Sequence, residues 1–326
     1  METLYGGLPQ MARGVLQALV ILAFAPGLNG IIKKFKARLQ NRTGPSVLQP
    51  YYDLRKFFLK EPVVSRHGSW ILLGVPYLSL AAYTVAAVQV PLFGAGAGMG
   101  GDLLSFIYLL ALARVGMTLA ALDTGSNFGG MGASRELAVS VLVEPVLFLS
   151  LAGLAAAAGT TQFGLLAAAP PGGMGASRLL GVAAFAFVAI AEMGRIPVDN
   201  PDTHLELTMI HEGMLLEYSG RHLALLTWAA EVKQFAILTV LANVFLGAGL
   251  PGVGLAAGLP VALGAGLLVG LAALGLSVLK VALLGLGFGL IEFFFAKVRF
   301  FRLPRLLGAS FLLASLSVVT ALFLGR

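Results

Sequence analysis

Between Ala191 and Gly220 the chain reads AEMGRIPVDNPDTHLELTMIHEGMLLEYSG, which gathers Glu192, Arg195, Asp199, Asp202, His204, Glu206, His211, Glu212 and Glu217. Six of the fifteen acidic residues of the whole chain lie in this stretch. Carboxylates and imidazoles at that density can pass protons, pair with cations or hold a metal. The metal reading is weak, because His211 and Glu212 are not followed by a second histidine at the metalloprotease spacing and His204, His211 and His222 form no ligand pattern. No phosphate-cradling glycine loop, nucleophile elbow or kinase signature is present. The chain has no cysteine, so it carries no disulfide, no cysteine-held iron-sulfur cluster and no thiolate zinc site. Proton handling and charge pairing are the chemistries left, and no catalytic residue is expected in this chain.

Further ionisable residues stand alone in apolar surroundings. In ASRELAVSVLVEPVLF, Glu136 and Glu144 are eight residues apart, or about 12 Å along a helix, and Pro145 removes a helix hydrogen bond beside the second. A carboxylate near a bilayer midplane costs about 3 kcal/mol or more, so it needs a partner, water or a proton. Arg114 lies at a similar depth and is one candidate partner, with Lys280 as the other. Glu231, Lys233, Lys280 and Glu292 add charges on later apolar runs. Such a set can be a proton relay or a collection of packing pairs.

The elements that must position these groups are membrane helices. Hydrophobic residues make up 58% and charged residues 11%, against roughly 25% charged in soluble domains, and mean hydropathy is +0.90. Eight apolar runs are long enough to span: 10–32, 69–93, 102–123, 135–158, 177–195, 222–248, 266–296 and 305–325. The fold expected is an all-α polytopic bundle forming one integral membrane domain over residues 1–326. Lysine and arginine concentrate in 33–68, at Arg135, at Arg195 and Arg221, and in 297–305, whereas the alternate loops 94–101, 159–176 and 249–265 have none. With eight spans these basic loops share the cytoplasmic face and both termini lie outside. The run from Leu259 to Lys297 could hold two helices, but two would move the KVRFFRLPR loop to the wrong side, so a glycine-rich lead-in and one long helix are expected. The start METLYGGLPQMARG lacks the basic lead and cleavage site of a signal peptide, so the first helix is expected to be retained. The net charge of +7 belongs to loops that face lipid headgroups and implies no nucleic-acid partner.

Two cytoplasmic segments follow. In 33–68, Gly44 and Pro45 break the chain and Pro50 can start an amphipathic helix with Tyr51, Leu54, Phe57 and Phe58 on its apolar face. It reads as a lipid-surface anchor, or as a wall of a docking surface or lipophilic tunnel. In the acidic loop 195–221, Glu192 and Arg195 are spaced to share a helix face, Pro197 and Pro201 stop that helix, and Thr203 with Glu206 fits a capping box that starts a short helix near Asp202 or Thr203.

These motifs resemble the membrane subunit shared by respiratory complex I, as its subunit 1, and the membrane-bound nickel-iron hydrogenases, including subunit 4 of formate hydrogenlyase. A family core of the form AE-x-x-R-x-P-F-D-L-P-E-A-E-A-E-L is met by Ala191, Glu192, Arg195, Pro197, Asp199, Pro201, Asp202, Glu206 and Leu207, followed by Glu217, Tyr218, Ser219 and Gly220. An R-x-GP then LQP-x-x-D pattern is met by Arg42, Gly44, Pro45, Leu48, Gln49, Pro50 and Asp53, with Lys56, Lys60 and Glu61 after it. The resemblance covers almost the full length. His204 stands where the quinone-reducing branch has a glutamate, and VDNPDTHLELTMIHE, LDTGSNFGGMGASRELAVSVLVEP and AKVRFFRLP look like the hydrogenase branch.

The resemblance implies a non-redox anchor and coupling subunit in the cell's inner membrane, with the redox arm on the cytoplasmic side. The implied partners are hydrogenase-like large and small subunits, an iron-sulfur subunit and antiporter-like membrane subunits, with the nickel-iron centre and clusters held by those partners and no cofactor in this chain. The implied route runs from Asp199, Asp202, Glu206, Glu212 and Glu217 through Glu192 to Glu136, Glu144, Glu231, Lys280 and Glu292. Arg42, Gln49, Pro50, Asp53, Arg114, Arg195, Pro197 and His204 are the expected docking or structural residues. The alternatives are a quinone-binding subunit of complex I and, from another class, a stand-alone secondary transporter, against which the lack of internal repeats counts.

Overall fold

The computed structural model describes residues 10–65, 68–93, 101–168, 175–199, 209–247, 265–298 and 300–324. It is a bundle of α1 (Gln10–Leu39), α2 (Gln49–Phe58), α3 (Trp70–Gln89), α4 (Leu103–Asp123), α5 (Asn127–Ala158), α6 (Phe163–Ala168), α7 (Gly175–Glu192), α8 (His211–Leu215), α9 (Gly220–Thr239) continuing as a π-helical turn Val240–Phe245, α10 (Ala265–Phe294) and α11 (Leu303–Leu324). Eight of these, α1, α3, α4, α5, α7, α9 with its π turn, α10 and α11, are long and apolar enough to cross a membrane, matching the eight runs in number and order. The protein is a multi-pass membrane protein. Among its described residues the stretch from 259 to 297 contains one spanning helix, as expected, while the glycine-rich lead-in lies outside the described residues.

The ends of the bundle are tied separately, which fixes the alternation of the helices. At the basic end, Val298 donates to the Pro197 carbonyl at 2.9 Å, Ser219 bonds both ways with Val63 at 2.7 and 3.0 Å, and Arg135 reaches the Met209 carbonyl at 2.9 Å. At the other end Leu103 donates to Thr161 and Phe163 to Gly101, at 3.1 and 3.0 Å. Between them α5, α7 and α11 close on small residues. Ser177 and Ser317 exchange hydroxyl-to-carbonyl bonds of 2.9 and 2.7 Å, and a Cβ on Gly153 or Gly181 would press into Ser317. Small residues let spanning helices approach where lipid offers no hydrophobic drive.

Local departures from the sequence reading have physical causes. Helix α5 starts at Asn127, eight residues before the expected 135, because NFGGMGAS is not a loop but the surface on which α8 lies. A Cβ on Gly132 would sit 3.1 Å from backbone atoms of Ile210, Gly213 and Met214, so glycine here permits backbone contact rather than flexibility. Helix α1 runs on to Leu39, since nothing before Gly44 interrupts it. Helix α7 stops at Glu192, ahead of both prolines. Gly194 takes φ +60°, Arg195 donates to Ile190 and Gly194 to Ala191 at 3.1 Å each, which is the glycine-terminated helix end that satisfies its last carbonyls. Pro26 lies within α1 and cannot bond to Leu22, so the Trp228 indole fills that carbonyl at 3.0 Å, while the Tyr51 hydroxyl of α2 donates to Ala23. The amphipathic helix is thereby seated on the kink of α1. Pro50 opens α2 as expected, and Leu54 is its buried apolar residue while Phe58 stays exposed, edge-on to Trp228 at 6.3 Å. The short helix expected from Asp202 or Thr203 lies outside the described residues.

Candidate functional site

Glu192 and Arg195 are not one pair on one helix face. Because α7 ends between them, the chain turns and sends each into a different network, on opposite sides of α9.

The first network sits between α4, α5, α7 and α9. Arg114, 6% exposed, donates from Nη1 to Glu144 at 2.7 Å and from Nη2 to Glu192, and its Nε lies 3.5 Å from Glu136. Lys233 pairs with the other oxygen of Glu192 at 2.9 Å and stands 5.7 Å over the Tyr83 ring. Among the described residues, two cations therefore serve three carboxylates, leaving one excess negative charge when all are ionised. Glu192 is sealed, whereas the Glu144 side chain is 40% exposed on the outside of the bundle. A cavity of about 60 Å³ borders this network, lined among others by Ser79, Tyr83, Glu136, Glu192, His211 and Lys233.

The second network lies between α1, α9 and α10. Arg195 donates to Glu292 at 3.1 Å, to Asn29 at 3.2 Å and to Gln234 at 2.8 Å. Lys36 pairs with the second Glu292 oxygen at 2.7 Å, and Asn29 donates to Glu231 at 3.0 Å. Amides from α1 and α9 complete a charge-balanced set around Glu292. Arg195 is 8% exposed, so the residue expected at a docking surface instead holds α7, α1, α9 and α10 together from within.

The remaining residues fall around these sets. Asp199 pairs with Lys297 at 2.8 Å and accepts from the His211 backbone at 3.4 Å, joining the polar island to the loop after α10. Glu212, within α8, and Glu217, two residues past its end, are half-buried. Gln49 donates to Asp53 at 2.9 Å within α2, Pro50 is buried and Arg42 is exposed. Lys280 is buried twelve residues from Glu292 on α10, about 18 Å along the helix, and meets neither network. Asp202, His204 and Glu206 lie outside the described residues. Among the described residues no three histidines or acids gather as a metal site.

Residues 13–323 match the family model described as NADH dehydrogenase. The chain belongs to the NADH dehydrogenase family. Within the family, it is 38% identical to hydrogenase-4 component C of Escherichia coli over 71% of this chain and 73% of that protein. It is 34% identical to formate hydrogenlyase subunit 4 of the same organism over 94% and 97%, and 30% identical to an NADH-quinone oxidoreductase subunit of Rubrobacter xylanophilus over 70% and 73%. The fold is also that of a chain in the membrane-bound sulfane sulfur reductase, an archaeal respiratory membrane complex, with TM-score 0.81, 24% identity, and coverage of 96% and 100%. The family resemblance seen in the sequence is therefore upheld.

Several partners escape sequence reasoning. Asn29 and Gln234 are uncharged, and their only signal is polarity inside apolar runs. Lys36 sits among so many lysines that nothing marks it. Arg178 is 8% exposed near the end of the bundle opposite the basic loops, and donates to the Phe245 and Val244 carbonyls at 2.6 and 3.1 Å. The π turn ends there with unsatisfied carbonyls, and their partial negative charge receives the guanidinium in place of an acid.

Proposed function

We propose that this chain is the membrane anchor and energy-coupling subunit of a membrane-bound nickel-iron hydrogenase or formate hydrogenlyase-type complex, linking a soluble redox arm to proton or sodium movement. The full-length similarity to formate hydrogenlyase subunit 4 supports the branch. The observation that carries the coupling role is the first network, where three carboxylates compete for Arg114 and Lys233 and one of them, Glu144, opens to the exterior at membrane depth. A change of charge on the arm alters how such coupled groups share protons. A carboxylate facing out of a bundle within the bilayer is too costly to leave to lipid, so an antiporter-like subunit covers α5 at Leu137, Val141, Glu144 and Phe148. The second network and the Asp199–Lys297 pair brace the island beneath the hydrogenase-like and iron-sulfur subunits, which carry the nickel-iron centre and clusters.

The purified complex is expected to evolve hydrogen from reduced viologen without quinone and to resist quinone-site inhibitors. Stoichiometric quinone with inhibitor-sensitive quinone reduction would instead assign the chain to the quinone-reducing branch. The basic loops face the cytoplasm of the inner membrane in this reading. Arg42→Cys and Arg302→Cys in the cysteine-free chain should react with an impermeant thiol reagent only in inverted vesicles, and labelling of Arg302→Cys from outside would reverse the orientation.

A further inference from the structure

Among the described residues lining the cavity beside the first network, Ser79, 1% exposed, has a buried hydroxyl with no hydrogen-bond partner in the protein. A buried hydroxyl without a hydrogen bond costs about 1–3 kcal/mol, and about 60 Å³ exceeds the roughly 10–15 Å³ that one water requires. Polar lining and room together make this a wet cavity. Around its wall stand Glu136, Glu192, Tyr83 and Lys233. His211 is the one imidazole among the described lining residues, a group that can both take up and release a proton.

His211 is also held in place by contacts that do not use its ring. Its backbone donates to Asp199, which Lys297 fixes; Arg135 holds the Met209 carbonyl just before it; and the Gly132 contact seats α8 on α5. The residue is half-buried, in contact with the cavity yet not sealed from the basic end. Among the described residues, the charged groups on the elements that border it are Arg135 and Glu136 of α5, Arg114 of α4, Glu192 at the end of α7, Lys233 of α9, its chain neighbour Glu212, and the Asp199–Lys297 pair.

We propose that His211 is the proton-transfer group at the mouth of this cavity, passing protons between the solution at the basic end and the carboxylates of the first network through cavity water. The imidazolium gives a ring proton to a water, and that water gives one to Glu136 or Glu192. The neutral imidazole then takes a proton from solution, so the ring is restored and, in sum, one proton from solution has neutralised one carboxylate. The inference rests on the coupling role proposed above.

The test uses the intact complex in proteoliposomes with a trapped pH dye and reduced viologen as electron donor. His211→Gly should slow proton uptake by about 10²-fold, the scale of a lost proton-transfer group, and added imidazole should restore it with a pH profile that follows the pKa of the added base. His211→Gln, which keeps the packing, should be equally slow and gain nothing from imidazole. Wild-type uptake in either variant, or a loss in His211→Gly that imidazole does not rescue, overturns the proposal. Glu192→Gln measured alongside separates the two levels. If that variant loses coupling while the His211 variants do not, the coupling role stands and His211 is not its proton-transfer group. If all three couple normally, both ideas fall.

Discussion

The two buried networks share α9 and begin three residues apart at the end of α7, yet they are built to opposite ends. Around Arg195 the charges balance, amides from Asn29 and Gln234 take up remaining bonds, and Glu292 is held by two cations. Around Arg114 the carboxylates outnumber the cations, a cavity borders them and Glu144 reaches the exterior. A balanced, sealed set resists any change of protonation, because each loss strands a charge. An unbalanced set beside water has several ways of sharing its protons at similar cost. One network is therefore a brace and the other a responsive element, and what separates them is charge count and hydration rather than position along the chain.

The largest effect should come from Arg114→Met, which leaves three acids to Lys233 alone. We expect a loss of about 3–5 kcal/mol, read as failure of the complex to assemble or a marked fall in its thermal midpoint. Arg195→Met should cost less, about 1.5–3 kcal/mol, since Lys36 still holds Glu292. If the second variant proves the more damaging, the brace is the true keystone and the ranking of the networks is inverted. Gly132→Ala should follow with about 1–3 kcal/mol, because the new Cβ meets backbone on α8 and nothing there can swing aside. Its mark is protease cutting near residues 209–219 before any loss of the spanning helices; protection equal to wild type would mean that α8 is not held by this contact.

The smallest effect concerns the dry side of α8. Tyr218 is buried with Leu72, Met117 and Met214, and burial, with the Asp123 charge adding, pushes its phenol up from the ordinary value. Because the folded value lies above the unfolded one, the unfolded chain loses the proton first as pH rises past about 10, and stability falls there. Tyr218→Phe should leave stability near neutrality almost unchanged and flatten the loss of thermal midpoint above pH 10. An alkaline profile identical to wild type would show that the phenol is not buried in the assembled complex.

What can be read from sequence divides along the same physical line. Span number, the Pro50 start of α2, and Arg114 as a candidate partner of Glu144 follow from local rules: apolar length, proline chemistry, and the cost of a charge at depth. The second network is not legible, because Asn29, Lys36, Arg195, Gln234 and Glu292 come from distant segments and only the fold brings them together. NFGGMGAS is missed for a related reason: the apolar run begins at 135, whereas the helix begins at Asn127 and Gly132 lets α8 touch the α5 backbone. Lys280 shows the reverse, a charge inside an apolar run that suggests a place on the route yet approaches none of its members in the two networks.

The most direct measurement compares Glu192→Gln with Glu292→Gln in one preparation of proteoliposomes, recording redox turnover and ion uptake together. Glutamine nearly keeps the shape of glutamate but carries neither the charge nor the proton, and its amide nitrogen donates where a carboxylate oxygen accepts. The account predicts that Glu192→Gln assembles and turns over with ion uptake per turnover nearly abolished, while Glu292→Gln lowers stability and leaves uptake per turnover unchanged in the complexes that survive. Normal coupling in Glu192→Gln, or uncoupling by Glu292→Gln without loss of stability, would contradict it.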